Sequence, residues 1–315
     1  MKKKLGIGLL MLVLLLTVFS IGGSFYLIDY SLRPENENKD QAQTMAFMCD
    51  QYPHITSWLD SLQQHHALRD TFITAPDGIR MHAYYAHASH PKRETAVIVH
   101  GYTDSSIRMF HIGYLYNQRL DFNVLIPDLR YSGLTEGEAI QMGWLDRKDV
   151  MQWIDLAPSL FGDSIQTVVH GISMGAATTM MVSGETLPSQ VKCFVEDCGY
   201  TSVWDQFAKE LKEQFGLPTF PLLHVSSWLC DLQLGWNFKE ASAVKQVKKC
   251  KLPMLFIHGD SDKYVPTYMV HEVYEAKPQP KELWIVPETT HAKSYMNYPE
   301  EYTERVRDFL EKYMH

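Results

Sequence analysis

Six short runs, TAVIVHG, FNVLIPD, IQTVVHG, VKCFVED, MLFIHG and KELWIVPE, are apolar at almost every position rather than at every second one. A strand of that kind has to be covered on both faces. Most of the runs are separated by stretches with helical spacing, such as WLDRKDVMQWIDLAPSLF. Strand and helix in alternation build a parallel sheet through right-handed crossovers. The expected fold class is therefore α/β, a sandwich of helices on both sides of a mostly parallel sheet. Ahead of it, RDTFITAPDGIRMHAYYAH alternates around a PDG turn and predicts a β-hairpin. The connection from Tyr200 to Leu252 is too long for one crossover. Its aromatic and proline content, FGLPTFPLLHVSSWLCDLQLGW, predicts a small helical cap at about residues 203–250. The final stretch YPEEYTERVRDFLEKY is amphipathic and should pack as the last helix.

The 315 residues, 45% of them hydrophobic, are enough for a full core and suit one large domain. A net charge of -8 with no basic stripe beyond the first four residues excludes a nucleic-acid partner. Those first residues matter for another reason. Lys2, Lys3 and Lys4 precede residues 5–28, which carry no charge and exceed the roughly 20 residues a helix needs to cross a bilayer. Residues 1–28 are expected to be a membrane anchor. The alternative is a cleaved signal, with residues 5–19 as its apolar part and Ser20, Gly22, Gly23 and Ser24 near the cut. Either reading puts the rest of the chain outside the cytoplasm. Residues 29–44 read as a polar tether, and the folded domain is expected over residues 45–315.

The five cysteines, 49, 193, 198, 230 and 250, show no zinc-type spacing. They read as free core thiols, with a Cys230–Cys250 bond left open. Nor do His65, His66, His82, His87 and His90 show metal-ligand spacing; they read as surface residues. No metal site is expected from these spacings.

The candidate chemistry starts at HGISMG, where Ser173 lies two residues after Gly171 and two before Gly175, between a predicted strand and a predicted helix. That is the context of a nucleophile elbow, in which the serine sits on a turn too tight for neighbouring side chains. Serine needs a base, and the base needs an acid that orients it. Both partners should follow on loops at the carboxyl ends of later strands. His291, in KELWIVPETTHAKSY, occupies such a loop. Asp262, in MLFIHGDSDKYVP, is preferred as the acid because a short loop must elapse before the side chain can turn to the histidine. Asp260 is expected to cap the turn, and Glu196 or Asp197 are competing acids one strand earlier. Two backbone amides are candidates for an oxyanion hole: Met174, directly after the serine, and Tyr102 in VIVHGYTDSS.

Taken together, HGYTD, DLRYSGLTEG, HGISMG, HGDSDKYVP and the THAKSY histidine resemble the α/β-hydrolase superfamily, in its membrane-linked serine aminopeptidase-like or lysophospholipase-like branch. The resemblance runs from about residue 70 to the C-terminus. It implies an α/β-hydrolase three-layer sandwich with Ser173 as nucleophile, His291 as base, Asp262 as acid and the amides of Tyr102 and Met174 as oxyanion donors, with no metal or organic cofactor. In DLRYSGLTEG, Tyr131 stands where a glycine or similar small residue usually follows the arginine and Thr135 where a serine usually comes later in the loop, and Asp128 and Arg130 read as structural. The expected activity is a serine hydrolase that cleaves carboxylic esters, of short or medium acyl chains or lysolipids, through an acyl-enzyme on Ser173. Phe207, Phe215, Phe220, Trp228 and Trp236 in the cap are candidates to line an acyl pocket. Two other readings are a peptidase or amidase of small peptides and a catalytically inactive surface-binding module on the same scaffold.

Overall fold

A computed structural model describes residues 2–35 and 40–314. Each of the six apolar runs is a strand. Among the described residues, β1 (Arg69–Thr74), β2 (Arg80–Ala86), β3 (Glu94–Val99), β4 (Asn123–Pro127), β5 (Gln166–Ile172), β6 (Val191–Asp197), β7 (Met254–Gly259) and β8 (Lys281–Val286) form one sheet in the order β1-β2-β4-β3-β5-β6-β7-β8. β1 and β2 are the expected antiparallel hairpin, turning at Gly78, whose φ of 88° suits a residue without a side chain. β2 runs antiparallel to β4, and the strands from β4 onward in that order pair in parallel.

The helices are α1 (Lys2–Leu32), α2 (Gln41–Gln51), α3 (Thr56–Gln64), α4 (Phe110–Tyr114), α5 (Asp146–Phe161), α6 (Met174–Val182), α7 (Val203–Phe215), α8 (Leu222–Leu234), α9 (Ala243–Val247), α10 (Tyr268–Ala276), α11 (Ser294–Asn297) and α12 (Pro299–Tyr313). They divide into two layers. Ala96 and Ile98 of β3 enter one core with Trp58, Phe110 and Phe309, while Val97 and Val99 enter the other with Trp153, Met180 and Phe256. Successive side chains of a strand point to opposite faces, so two cores require apolar residues without alternation. This is the physical content of the six runs.

The helical insertion sits between β6 and β7 and contains α7, α8 and α9. Ser202 caps α7 by accepting from the Asp205 amide at 3.1 Å, and Gly216 ends it with a φ of 66°.

The N-terminus departs most from expectation. α1 continues to Leu32, and α2 begins at Gln41, so the polar connection is confined to residues 33–40, of which 36–39 lie outside the described residues. From Ser20 onward α1 packs on the domain. Ser24 and Leu32 are fully buried, Ser24 Oγ donates to the Leu222 carbonyl at 3.1 Å, and the Leu32 carbonyl accepts from the Ile140 amide at 2.8 Å. The transmembrane helix expected over residues 1–28 is not found: among the described residues, no helix is long and apolar enough to cross a membrane. Within residues 20–32 one face is buried on the protein, through Ser20, Ser24, Ile28 and Leu32, while Ile21, Phe25, Tyr26 and Tyr30 stay exposed.

The five cysteines are free, Cys230 and Cys250 included. His82, expected at the surface, is instead fully buried on β2 with Nδ1 2.7 Å from the Asp128 carboxylate. Asp128 also accepts from the amides of Ser106 and Leu134, and Arg130 holds Asp149 through two nitrogens, at 2.6 and 2.9 Å. Both charges fix loops.

Candidate active site

Ser173 follows directly on β5 and precedes the first residue of α6, with φ 59° and ψ -118°. A non-glycine residue held there costs on the order of 1–3 kcal/mol and persists only where its surroundings leave no choice. The two glycines supply that constraint. A Cβ on Gly171 would overlap the Gly175 carbonyl, and one on Gly175 would overlap the carbonyls of Val99 and His100. Strand and helix can therefore cross this closely only if both positions lack side chains. All nine residues of α6 are buried, so the helix behind the serine is fixed in the core.

The two partners lie on the loops after β7 and β8. His291 Nε2 is 2.8 Å from Ser173 Oγ, and His291 Nδ1 is 2.7 Å from Asp262 Oδ2. The second carboxylate oxygen of Asp262 accepts from the amides of Tyr264 and Val265, both at 2.9 Å. His258, which sequence reasoning did not single out, approaches the same carboxylate at 3.4 Å and also contacts the Val265 carbonyl. Burial pushes the Asp262 carboxyl up, but the hydrogen bonds from His258 and His291 outweigh it and hold the group at about 2. An ionised Asp262 only accepts, so His291 Nδ1 carries the proton and Nε2 presents its lone pair to the serine hydroxyl. The arrangement can take a proton from Ser173 as the oxygen attacks an acyl carbon.

The competing acids are engaged elsewhere. Asp197 accepts from Ser294 and Tyr302, and Glu196 accepts from the Gly199 amide. Asp260 is exposed and accepts from Ser261 and the Thr289 amide, as a turn-capping residue does. Among the described residues, the one cluster of three ligand-type side chains is Cys198, Asp262 and His291. Two of its members are the serine's partners.

Both proposed oxyanion donors border the serine. Met174 is the first residue of α6, where helix amides have no intrahelical acceptor. Tyr102 follows Gly101, and a Cβ on Gly101 would lie 3.5 Å from Ser173 Cβ. Ser173 and Met174 open into a cavity of about 360 Å³, in the size range of a small-ligand site. Of the five aromatic residues singled out in the cap, Phe207 and Phe215 line it. Phe220 and Trp228 are exposed, and Trp236 is buried with its indole nitrogen on Gln141. α1 also contributes to the lining, through Leu27, Ile28, Tyr30 and Ser31, a role the sequence reading did not assign to it.

A model of the prolyl oligopeptidase family matches residues 114–315, a span that contains Ser173, Asp262 and His291. The chain belongs to this family. Its superfamily is that of the α/β-hydrolases, and it is a hydrolase by kinship. The uncharacterized protein YqkD of Bacillus subtilis (strain 168) is 30% identical over 227 residues, 72% of this chain and 74% of its own length. The Pyrococcus furiosus esterase Pf2001 matches 79% of this hydrolase and 93% of its own chain, with a TM-score of 0.64 at 24% identity. The Pyrococcus horikoshii acylaminoacyl peptidase matches 78% of this chain but only 40% of its own, with a TM-score of 0.56 at 16% identity. At such identities the two solved structures establish the fold.

Proposed function

We propose that this protein is a serine hydrolase that cleaves carboxylic esters through an acyl-enzyme on Ser173. The observation that carries the reading is the chain of contacts from Asp262 through His291 to Ser173, 2.7 and 2.8 Å, with Ser173 lining a largely apolar cavity. In this reading His291 Nε2 takes the hydroxyl proton while Ser173 Oγ bonds to the acyl carbon, and the amides of Tyr102 and Met174 hold the resulting oxyanion. His291 then protonates the departing alcohol. A water molecule, deprotonated in turn by His291, releases the acid and restores the serine. Asp262 stays ionised and balances the charge on the imidazolium. The lining by Leu27, Ile28, Leu211, Phe207 and Phe215 favours an acyl chain of short or medium length, as in simple esters or monoacyl lipids.

The family name and the acylaminoacyl peptidase likeness favour a second reading, hydrolysis of small peptides. A peptide amino terminus would need a free carboxylate in the cavity. Glu210, the one acidic lining residue among those described, already accepts from Gln206, Lys209 and Gln214. Its lone pairs are largely spoken for, and the ester reading is preferred.

We also propose that residues ahead of Ser20 hold the domain at a lipid surface, away from the cytoplasm. Supporting this are Lys2, Lys3 and Lys4 before the charge-free run, and the exposure of Leu10, Met11, Leu14, Leu15 and Phe19. Recovery in a washed membrane fraction tests it; a soluble secreted product lacking its first residues would refute it. The catalytic reading is tested with an alkyl fluorophosphonate. Labelling that is lost in Ser173→Ala supports the enzyme, whereas folded protein that does not label is a binding module. p-Nitrophenyl esters compared with aminoacyl anilides then separate esterase from peptidase.

A further inference from the structure

The second half of α1 is held on three sides. Gly23 lets it approach α8, since a Cβ there would lie 3.0 Å from Leu222 Cδ2, and Ser24 bonds to the Leu222 carbonyl. Tyr30 Oη lies 3.1 Å from Gln214 Oε1 of α7. At its end, the Leu32 carbonyl accepts from Ile140 and Arg33 Nε donates to the Glu138 carbonyl at 3.3 Å, which ties it to the loop after β4. A segment clamped in this way keeps its shape. Two of its side chains, Leu27 and Ile28, face the cavity that holds Ser173.

One further contact reaches the chemistry. Tyr102, whose amide borders Ser173, donates its phenol hydroxyl to the Ser31 carbonyl at 2.9 Å. The loop that carries this amide is backbone-strained at Thr103, with a φ of 55°, a conformation that its surroundings must hold. Beside the loop's own bonds, from the Asp104 amide to the Gly101 carbonyl and from Thr103 Oγ1 to the Tyr102 carbonyl, one hold comes from the last turn of α1, 71 residues earlier in the chain.

We propose that residues 27–32 are a working part of the substrate site: Leu27 and Ile28 form the wall against which the acyl chain lies, and the Ser31 carbonyl, through the Tyr102 phenol, positions the Tyr102 amide over the reacting carbonyl. The inference rests on the ester-hydrolase reading. It gives the N-terminal segment a second task, so that whatever moves α1 alters both the chain length accepted and the rate. Tyr102 acts here through its side chain as a positioning residue.

The test uses the full-length protein in mild detergent. Leu27→Trp, which adds bulk at the wall, is expected to lower the ratio of kcat/KM for p-nitrophenyl octanoate to that for the acetate by at least roughly tenfold, the size of effect that one or two methylenes have in an apolar pocket. Leu27→Ala is expected to raise that ratio for decanoate. Tyr102→Phe removes only the hydroxyl and should lower kcat for the acetate by roughly tenfold with KM unchanged; a purely structural loss would lower Tm and leave the kcat-to-KM division unspecific. Acyl profiles unchanged in both Leu27 variants, with Ser173 labelling normal, would overturn the wall. An unchanged kcat in Tyr102→Phe would overturn the positioning. If the wild type turns over no ester, the wall is still decided by binding of dansylaminoundecanoate to Ser173→Ala. A Kd raised at least tenfold by adding Leu27→Trp supports it, and an unchanged Kd refutes it.

Discussion

Asp262→Asn tests the site at its least obvious joint. In the native site one carboxylate oxygen accepts two loop amides, from Tyr264 and Val265, and the other faces His291. An asparagine has one oxygen and one amino group to divide between these partners. Turning its NH2 toward the loop would leave two buried amide donors unsatisfied, at about 1–3 kcal/mol each, so the oxygen must stay on that side. The NH2 then points at His291 Nδ1, which can only accept from it. The proton moves to Nε2, and the imidazole no longer accepts from Ser173. With the base in the wrong tautomer, kcat for a p-nitrophenyl ester should fall by about 10,000-fold, the loss known for the equivalent change in another serine hydrolase. The rate of fluorophosphonate labelling should fall with it. Folding must be checked alongside, because the variant also loses a charge that stabilises the native state. The Asp262 carboxyl is depressed from 3.8 to about 2. Its contribution, on the order of 2 kcal/mol, is therefore present above pH 4 and lost as the pH falls through 2. Labelling should be compared at 20 °C on protein with native near-UV dichroism. A folded Asp262→Asn protein that labels within tenfold of the wild type would refute the tautomer argument and with it the role given to His291.

Gly175→Ala should fail at the fold rather than at the chemistry, since its Cβ would overlap the carbonyls of Val99 and His100; a destabilisation above about 3 kcal/mol in urea melts is expected, and a native-like midpoint would contradict the close crossing of β5 and α6. Asp197 shows the opposite pH behaviour to Asp262. Burial raises its carboxyl to about 6, so the native state holds the proton more tightly than the unfolded chain, and the stability this gives is present below pH 3.8 and lost as the pH rises through 6. Asp197→Asn should remove a decline on the order of 2–3 kcal/mol between pH 4 and 7, and parallel curves for variant and wild type would show that the group is not buried as described.

How much of this is legible in the sequence differs from element to element. The doubly covered strands followed from apolar runs without alternation, and the loops of Asp262 and His291 followed from where those runs end. Ser173 was marked by glycines whose neighbours could be inferred from strand-turn-helix order alone. These are local signals, in which a few consecutive residues encode one backbone geometry. The burial of His82 is not legible there, because the β2 pattern does not reveal that Asp128, 46 residues later, meets it inside the molecule. His258 was passed over because an apolar strand with a terminal histidine gives no sign of the acid it turns toward.

The sequence by itself determined the layers, the turn that strains Ser173 and the order in which its partners arrive, since each depends on short-range stereochemistry and on which residues avoid water. Only the tertiary structure decided where the second half of α1 packs. Transfer from water to lipid and transfer from water to a cap of leucine and phenylalanine gain about the same free energy per unit of apolar area, so a charge-free helix carries no mark of which it will choose. Shape seated the second half of α1 on the protein, through a glycine that lets it close on α8 and a carbonyl left within reach of a distant tyrosine.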